Sequence, residues 1–337
     1  MVLVVGGFHE KDPLGETVNS AELFDPATNR WAPAASMAFR RARHTATLLR
    51  DGRVLVLGGV SSSVDPYDWS FLAVGELYDP RTGRWSETAP GMGARQGHTA
   101  TLLPDGRVLG VCGQGEMGPE PSVKLYDPAH NAWSAARTPR IARDGHTATL
   151  LADGKVLVVG GIGVSAKELA AASPQYLTYS LDPLSSGDLY DPASDSWTFV
   201  VAMHATRWGH TATLLPGGLL VVGGAYANPG HPELFEIPGH FWVTGSSVIN
   251  RHGHTATLLQ DGRTLIAGGF GIDGMSTSWI YRSDMGVVQV SRWGAVPTGV
   301  ALLAALAVLL ALIWGSRLRL SLRKWLRWGD PDQWIAS

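Results

Sequence analysis

Three spaced signatures recur along this 337-residue chain: V-L-V-x-G-G, then E-L-Y-D-P, then a tryptophan seven residues past the aromatic. The first copy reads Val2-Leu3-Val4-Val5-Gly6-Gly7, Glu22-Leu23-Phe24-Asp25-Pro26 and Trp31. Glycine pairs follow at Gly58-Gly59, Gly160-Gly161, Gly223-Gly224 and Gly268-Gly269, with the variant Cys112-Gly113 between them. A unit of this length cannot bury its own apolar face, so it must stack on copies of itself.

The full unit reads R-x-x-H-T-A-T-L-L-x-D-G-R-V-L-V-x-G-G, a variable stretch, then E-L-Y-D-P-x-T-x-x-W. His44, His98, His146, His210 and His254 open five full copies. Each begins an apolar Thr-Ala-Thr-Leu-Leu strand. Asp51-Gly52, Asp105-Gly106, Asp153-Gly154 and Asp261-Gly262 follow, and Asp-Gly between apolar runs signals a hairpin with a type I′ turn; the fourth copy has Pro216-Gly217-Gly218 there. The next strand is a nearly unbroken Val/Leu run, as for a strand covered on both faces. A third ends at Asp-Pro, where proline cannot extend the ladder, and a fourth begins near the tryptophan. Four antiparallel strands in about 45–50 residues make a propeller blade.

The spacings are strict. Histidine to the first-glycine position is 14 residues four times and 13 once, and tryptophan to the next histidine is 13 four times and 12 once. Only the stretch from second glycine to aromatic varies, from 11 to 29 residues. Length freedom therefore lies between the second and third strands, on the same side of the disc as the blade connections. Variable loops on a rigid scaffold are where function is expected.

On these residues the chain resembles the kelch family, through the glycine pairs, the tyrosine of E-L-Y-D-P and the tryptophan at its set spacing. The H-T-A-T-L-L-x-D-G-R-V-L-V-x-G-G form is similar to the bacterial kelch repeats related to the galactose oxidase propeller. The resemblance covers roughly residues 1–290 and implies an all-β kelch propeller of about six four-stranded blades. It leaves function open among binding modules, enzymes and scaffolds.

Met1 stands where Arg53 stands in the second copy, so the first blade is expected to be incomplete, with its innermost strand upstream. The last blade, with Trp279-Ile280-Tyr281 and residues 286–291, lacks the tryptophan. Five full blades and three-quarters of a sixth are expected, in a ring of six completed from upstream; seven is the alternative.

The other end reads as a membrane segment. Residues 300–314 are fifteen consecutive apolar residues, and 295–299 extend the run to 20, enough to cross a hydrocarbon core of about 30 Å as a helix. The organisation expected is a propeller over 1–291, a linker over 292–297, a transmembrane helix over 298–316 and a basic tail over 317–337. Arg317, Arg319, Arg323, Lys324 and Arg327 against Asp330 and Asp332 make the tail +3, leaving −5 on residues 1–316 of a chain whose net charge is −2. The positive-inside bias puts the tail in the cytoplasm and the propeller outside a cell membrane. Export would require a signal, and none is visible at Met1.

Candidate sites follow from the loop face. Arg41, Arg95, Arg143, Arg207 and Arg251 each stand three residues before the histidine. One reading is salt-bridging between blades; the other is a cationic rim around the channel mouth that binds a protein or an acidic glycan. Salt-bridging is the leading reading; the resemblance adds weight to the second, because similar kelch propellers bind partners through arginines in these connections. The longest loops, 60–75 with Tyr67 and Trp69 and 162–188 with Tyr176 and Tyr179, are candidates for specificity. His44, His98, His146, His210 and His254 are expected to be architectural, anchoring each inner strand to its neighbour. So are Gly59, Gly113, Gly161, Gly224 and Gly269, and Trp31, Trp85, Trp133, Trp197 and Trp242.

No cofactor or metal is expected. The one cysteine, Cys112, sits at a glycine position and reads as a small buried residue. The resemblance to galactose oxidase implies a Cys–Tyr crosslink with Tyr and His copper ligands, which a lone cysteine and no further all-β domain do not supply. Gly113–Gly118 formally matches G-x-G-x-x-G, but Pro119 and Pro121 forbid the helix a nucleotide site needs. An acidic propeller argues against nucleic acid. The reading is a membrane-anchored extracytoplasmic recognition module, with a carbohydrate oxidase or sugar epimerase on the same scaffold, or a purely structural scaffold, as alternatives.

Overall fold

The computed structural model describes residues 1–9, 16–62, 69–116, 118–165, 182–224, 230–237, 239–245, 249, 251–271, 277–282 and 286–292. Its regular elements are all strands. The expected span 298–316 and tail 317–337 lie outside these residues; among those described, no helix is long and apolar enough to cross a membrane.

Among the described residues six antiparallel blade sheets follow one another along the chain, with four smaller sheets of two or three strands between them. The first has three strands, Val2–Val5, Ala21–Asp25 and Arg30–Ala34. The second has four, Thr45–Leu48, Val54–Leu57, Glu76–Asp79 and Arg84–Glu87, and the third repeats it with Thr99–Leu102, Val108–Val111, Val123–Asp127 and Ala132–Ala136. The fourth is Thr147–Leu150, Val156–Val159, Gly187–Asp191 and Ser196–Val200. The fifth is Thr211–Leu215, Gly218–Val222, Glu233–Glu236 and Phe241–Thr244. The sixth is Thr255–Leu258, Thr264–Ala267, Thr277–Arg282 and Gly286–Arg292. The first strands of the second to sixth blades lie side by side in order, as inner strands about an axle do.

The core lies between blades rather than within them. Leu55, Leu57 and Leu77 of the second blade pack with Val108 and Tyr126 of the third, and Leu157 and Val159 of the fourth with Leu219, Val221 and Phe235 of the fifth. This is the burial on neighbouring copies that one blade cannot supply alone. Second strands of the third to sixth blades are buried throughout, Val156–Val159 completely, because both faces meet a neighbour.

The glycine pair marks the closest approach between blades. A Cβ on Gly58 would lie 2.7 Å from the Arg95 carbonyl and from the His98 ring, and Gly58 itself has φ +57°. Cys112 takes the equivalent place with φ +49°, a left-handed conformation costing an L-residue about 1–2 kcal/mol. It is fully buried, as expected for a small residue.

The inner hairpins depart from the expected type I′ turn. In the second blade Gly52 N–H donates to the Leu49 carbonyl over 3.1 Å, and Leu49 N–H to the Arg53 carbonyl over 2.8 Å. The turn is centred on Arg50-Asp51, and only Gly52 has positive φ, +88°. A right-handed turn followed by one left-handed glycine replaces the two positive residues of type I′. Asp51 Oδ1 accepts Arg53 N–H at 3.0 Å, an interaction that favours aspartate without requiring it to turn left-handed. The shortened fourth hairpin pairs Leu215 with Gly218 around Pro216-Gly217, with positive φ at Gly217 alone, as in a type II turn.

Candidate functional site at the channel mouth

Each blade connection carries the tetrapeptide R-x-x-H, and its four positions have separate tasks. The histidine ties neighbouring inner strands together. Thr45 Oγ1 and His98 Nε2 lie 3.0 Å apart, and the same link recurs for Thr99–His146, Thr147–His210 and Thr211–His254 at 2.8–3.0 Å. Burial first, and the preceding arginine second, pull His98, His210 and His254 down to about 3 and His146 well below its ordinary value. These imidazoles are neutral structural links.

The tryptophans perform the matching task at the rim. Trp85 Nε1 donates to the Ala35 carbonyl, Trp133 to Ala89, Trp197 to Arg137 and Trp242 to Val201, each on the preceding blade, over 2.6–2.9 Å. Each also lies about 5 Å from the aromatic of its own blade, as Trp31 does from Phe24.

The five arginines do not form a rim. Arg41, Arg143 and Arg207 are 0% exposed, Arg95 2% and Arg251 3%. Arg41 Nη1 donates to the carbonyls of Gly58 and Val74, and Nη2 reaches Glu76 Oε2 at 2.7 Å. Arg143 repeats this on Gly160, Ser186 and Asp188, and Arg207 on Gly223 and Glu233. The guanidinium holds together the second and third strands of its own blade. It therefore neither salt-bridges separate blades nor presents its charge to a ligand. Arg95 has Lys124 where Arg41, Arg143 and Arg207 have a carboxylate, and bonds instead to the Cys112 and Ser122 carbonyls and Ser122 Oγ. Arg251 bonds the Gly268 carbonyl at 2.8 Å.

What the mouth presents is set by the two middle positions. The second middle residue is left-handed in every connection: Arg43 at φ +55°, and Gly97, Gly145, Gly209 and Gly253 at +60° to +64°. Gly145 N–H donates to the Gly97 carbonyl, Gly209 to Gly145 and Gly253 to Gly209, over 3.1–3.2 Å, a backbone ladder passing from blade to blade. The first middle residue differs each time: Ala42, Gln96, Asp144, Trp208 and His252. Four of the five pair with residues just past the glycine pair, Ala42 with Val60, Gln96 with Gln114, Asp144 with Ile162 and His252 with Phe270.

Three features stand out there. The exposed Arg43 guanidinium lies 5.9 Å from the Phe8 ring centroid and 5.6 Å from that of Trp69, with Nη1 donating to Gln96 Oε1 at 3.2 Å. Asp144 reaches over Gly97, where an added Cβ would lie 1.5 Å from its Oδ1. Burial pushes its carboxyl up to about 6, against the opposing pull of the Gly145 amide and of Arg43. On the far side Trp208 stacks on His252 and His252 packs on Phe270, 5.9 Å each, with Phe270 61% exposed.

Of the loop aromatics singled out in the sequence, Trp69 is in this site, and Tyr67, Tyr176 and Tyr179 lie outside the described residues. Arg43, Gln96, Asp144, Trp208 and His252 were missed. Their signal was present: the varying position inside an otherwise repeated tetrapeptide, and the single arginine where four copies have glycine. Among the described residues no three His, Cys, Asp or Glu side chains converge in a way that could hold a metal ion.

A model of the kelch motif matches residues 1–38 and 40–92. The F-box/kelch-repeat protein At1g22040 of Arabidopsis thaliana is 33% identical over 120 residues, 31% of this chain and 25% of that protein. A second F-box/kelch-repeat protein of the same plant, At1g30090, is 31% identical over 88 residues, 26% of this chain and 20% of that protein. The chain thus matches a quarter or less of the length of these relatives. The solved structure of YjhT, a kelch-type propeller, superposes with a TM-score of 0.60 at 14% identity, covering 81% of this chain and 91% of that one; at that identity the likeness is one of fold. Kelch motifs thus match the first two repeats, and the fold is one that this chain shares with a solved kelch-type propeller.

Proposed function

We propose that the propeller is a recognition module that binds an anionic group of a protein or acidic glycan at the channel mouth. The observation that carries this is Arg43. It occupies a left-handed position that four sister connections give to glycine, so its side chain is held there at a cost in backbone energy. It is exposed, and two aromatic rings back it. A guanidinium in that setting offers a planar fork of donors to a carboxylate. Gln96 and Gln114 add amide groups beside it, and the Trp208–His252–Phe270 stack offers an apolar face for the rest of the ligand.

Residues 298–316 are the membrane span in this reading, with the basic tail in the cytoplasm and the propeller outside. The length of the apolar run and the five basic residues after it support that orientation.

The experiment compares full-length chain with Arg43→Ala and Trp208→Ala variants for binding to matched neutral and uronate-containing oligosaccharides and to envelope protein extracts. Salt-sensitive binding that Arg43→Ala abolishes is the expected result. Equal binding by the parent and Arg43→Ala would refute the site. Retention in the membrane pellet after alkaline washing, with release by detergent, tests the anchor separately.

A further inference from the structure

The outer margin of the propeller is not uniform. Exposed residues of the outermost strands in the first three blades are small or charged: Ala32 and Pro33, Ser86 and Glu87, Ser134 and Ala135. In the fourth and fifth blades large apolar side chains stand beside the exposed Thr198 and Thr244: Phe199 is 53%, Phe241 50% and Val243 44% exposed, and Val201, just past the fourth blade's outermost strand, 57%. These four belong to one stretch of rim, since Trp242, between Phe241 and Val243, donates its indole N–H to the Val201 carbonyl at 2.7 Å. Among the described residues the other large exposed apolar side chains lie elsewhere: Met1 at the start of the chain, Leu48 and Leu258 on inner strands, and Phe270 at the mouth.

The apolar stretch adjoins the place where the chain leaves the propeller. The sixth blade packs on the fifth through a shared core that includes Leu220, Val222, Ile266 and Tyr281. Its outermost strand, Gly286–Arg292, carries the apolar sequence G-V-V-Q-V-S-R. From Arg292 to residue 298 are six peptide steps, which span at most about 20 Å. A span starting at 298 therefore holds the sixth blade against the bilayer surface, with the fifth beside it. Soluble surfaces rarely gather large apolar side chains in one place without a partner, and aromatic and aliphatic side chains favour the boundary between headgroups and acyl chains.

We infer that the rim of the fourth and fifth blades, at Phe199, Val201, Phe241 and Val243, rests on the lipid surface. The disc then stands on edge, and the channel mouth looks along the bilayer, open to the water. This rests on the membrane-anchored reading given above.

The sole cysteine, Cys112, is buried, so an introduced cysteine can be labelled alone. Full-length chain carrying Phe199→Cys, Phe241→Cys or, on the second blade, Glu87→Cys is labelled with an environment-sensitive fluorophore. It is then reconstituted into phosphatidylcholine–phosphatidylglycerol vesicles with or without brominated lipid. Several-fold stronger quenching at 199 and 241 than at 87 is expected. Flotation with the vesicles but equal quenching at all three sites would overturn the lipid contact and leave the anchor standing. Failure to float would overturn both. Self-quenching at 199 and 241 that dilution in lipid relieves, without brominated-lipid quenching, would give this rim to a second copy and overturn the inference.

Discussion

Acidification should unfold this propeller steeply, because its inner ring of histidines can protonate only when the blades part. His98, His146, His210 and His254 are 4–6% exposed, each bonded to a threonine of the preceding blade. Their folded-state values are depressed, to about 3 where a figure applies, against about 6.5 in an unfolded chain. A depressed value means that the unfolded state binds more protons below 6.5. The stabilisation is therefore complete above that pH and is lost as pH falls towards 3. Each such histidine costs about 1.4 kcal/mol per pH unit once well below 6.5. Asp144 opposes them: its carboxyl, raised to about 6, takes up a proton in the folded state first, and offsets about one histidine between pH 6 and pH 4. The net loss from pH 6 to pH 5 is about 4 kcal/mol, a large share of the roughly 5–15 kcal/mol by which domains are stable. Urea unfolding of the full chain in detergent, followed by tryptophan fluorescence at pH 8, 7, 6 and 5, measures this directly. A stability change under about 1 kcal/mol between pH 6 and pH 5 would refute neutral, buried histidines. His210→Gln, which keeps a hydrogen-bonding amide for Thr147, should flatten the slope by about one proton equivalent.

Three further outcomes are expected. Glu76→Gln leaves the Arg41 cation buried without its carboxylate and should cost about 3–5 kcal/mol, read from the urea midpoint, whereas Lys124→Ala at the matching place in the third blade should change it little. Arg43→Gly relieves a left-handed L-residue and should stabilise the propeller by about 1 kcal/mol while abolishing anion binding at the mouth; a destabilised variant would refute the strain argument. Trp197→Phe removes the indole bond to the Arg137 carbonyl and should cost about 1 kcal/mol, seen as a lower thermal midpoint.

The blades were legible because a repeat that must bury itself on its neighbours repeats whatever makes that contact. The spacing of His98 from Cys112 and of Tyr126 from Trp133 already specified where strands and turns fall, but not the turn type, and that Gly58 stands where the Arg95 carbonyl and the His98 ring come closest needed the neighbouring blade in place. The arginines were misplaced for the same reason in reverse. A charge in a connection reads as exposed, yet Arg41, Arg143 and Arg207 recur in step with Glu76, Asp188 and Glu233 because both partners are inside. That pairing could have been read from the sequence, along with its exception at Lys124. The mouth was harder to see, since Gln96, Asp144, Trp208 and His252 share no residue type and differ precisely where function can vary.

Periodicity alone therefore determined the strands, their order and the stacking of blades, since burial of a repeated apolar face admits few solutions. It also supplied the apolar run at 300–314 and the basic residues behind it. Only the tertiary structure decided which side chains face water, because that depends on neighbours brought together from blades some fifty residues apart. Folding drew five arginines inside to hold their own blades and left Arg43 outside on two aromatic rings. It also set four apolar side chains on one stretch of the outer rim, where no spacing in the chain foretold them.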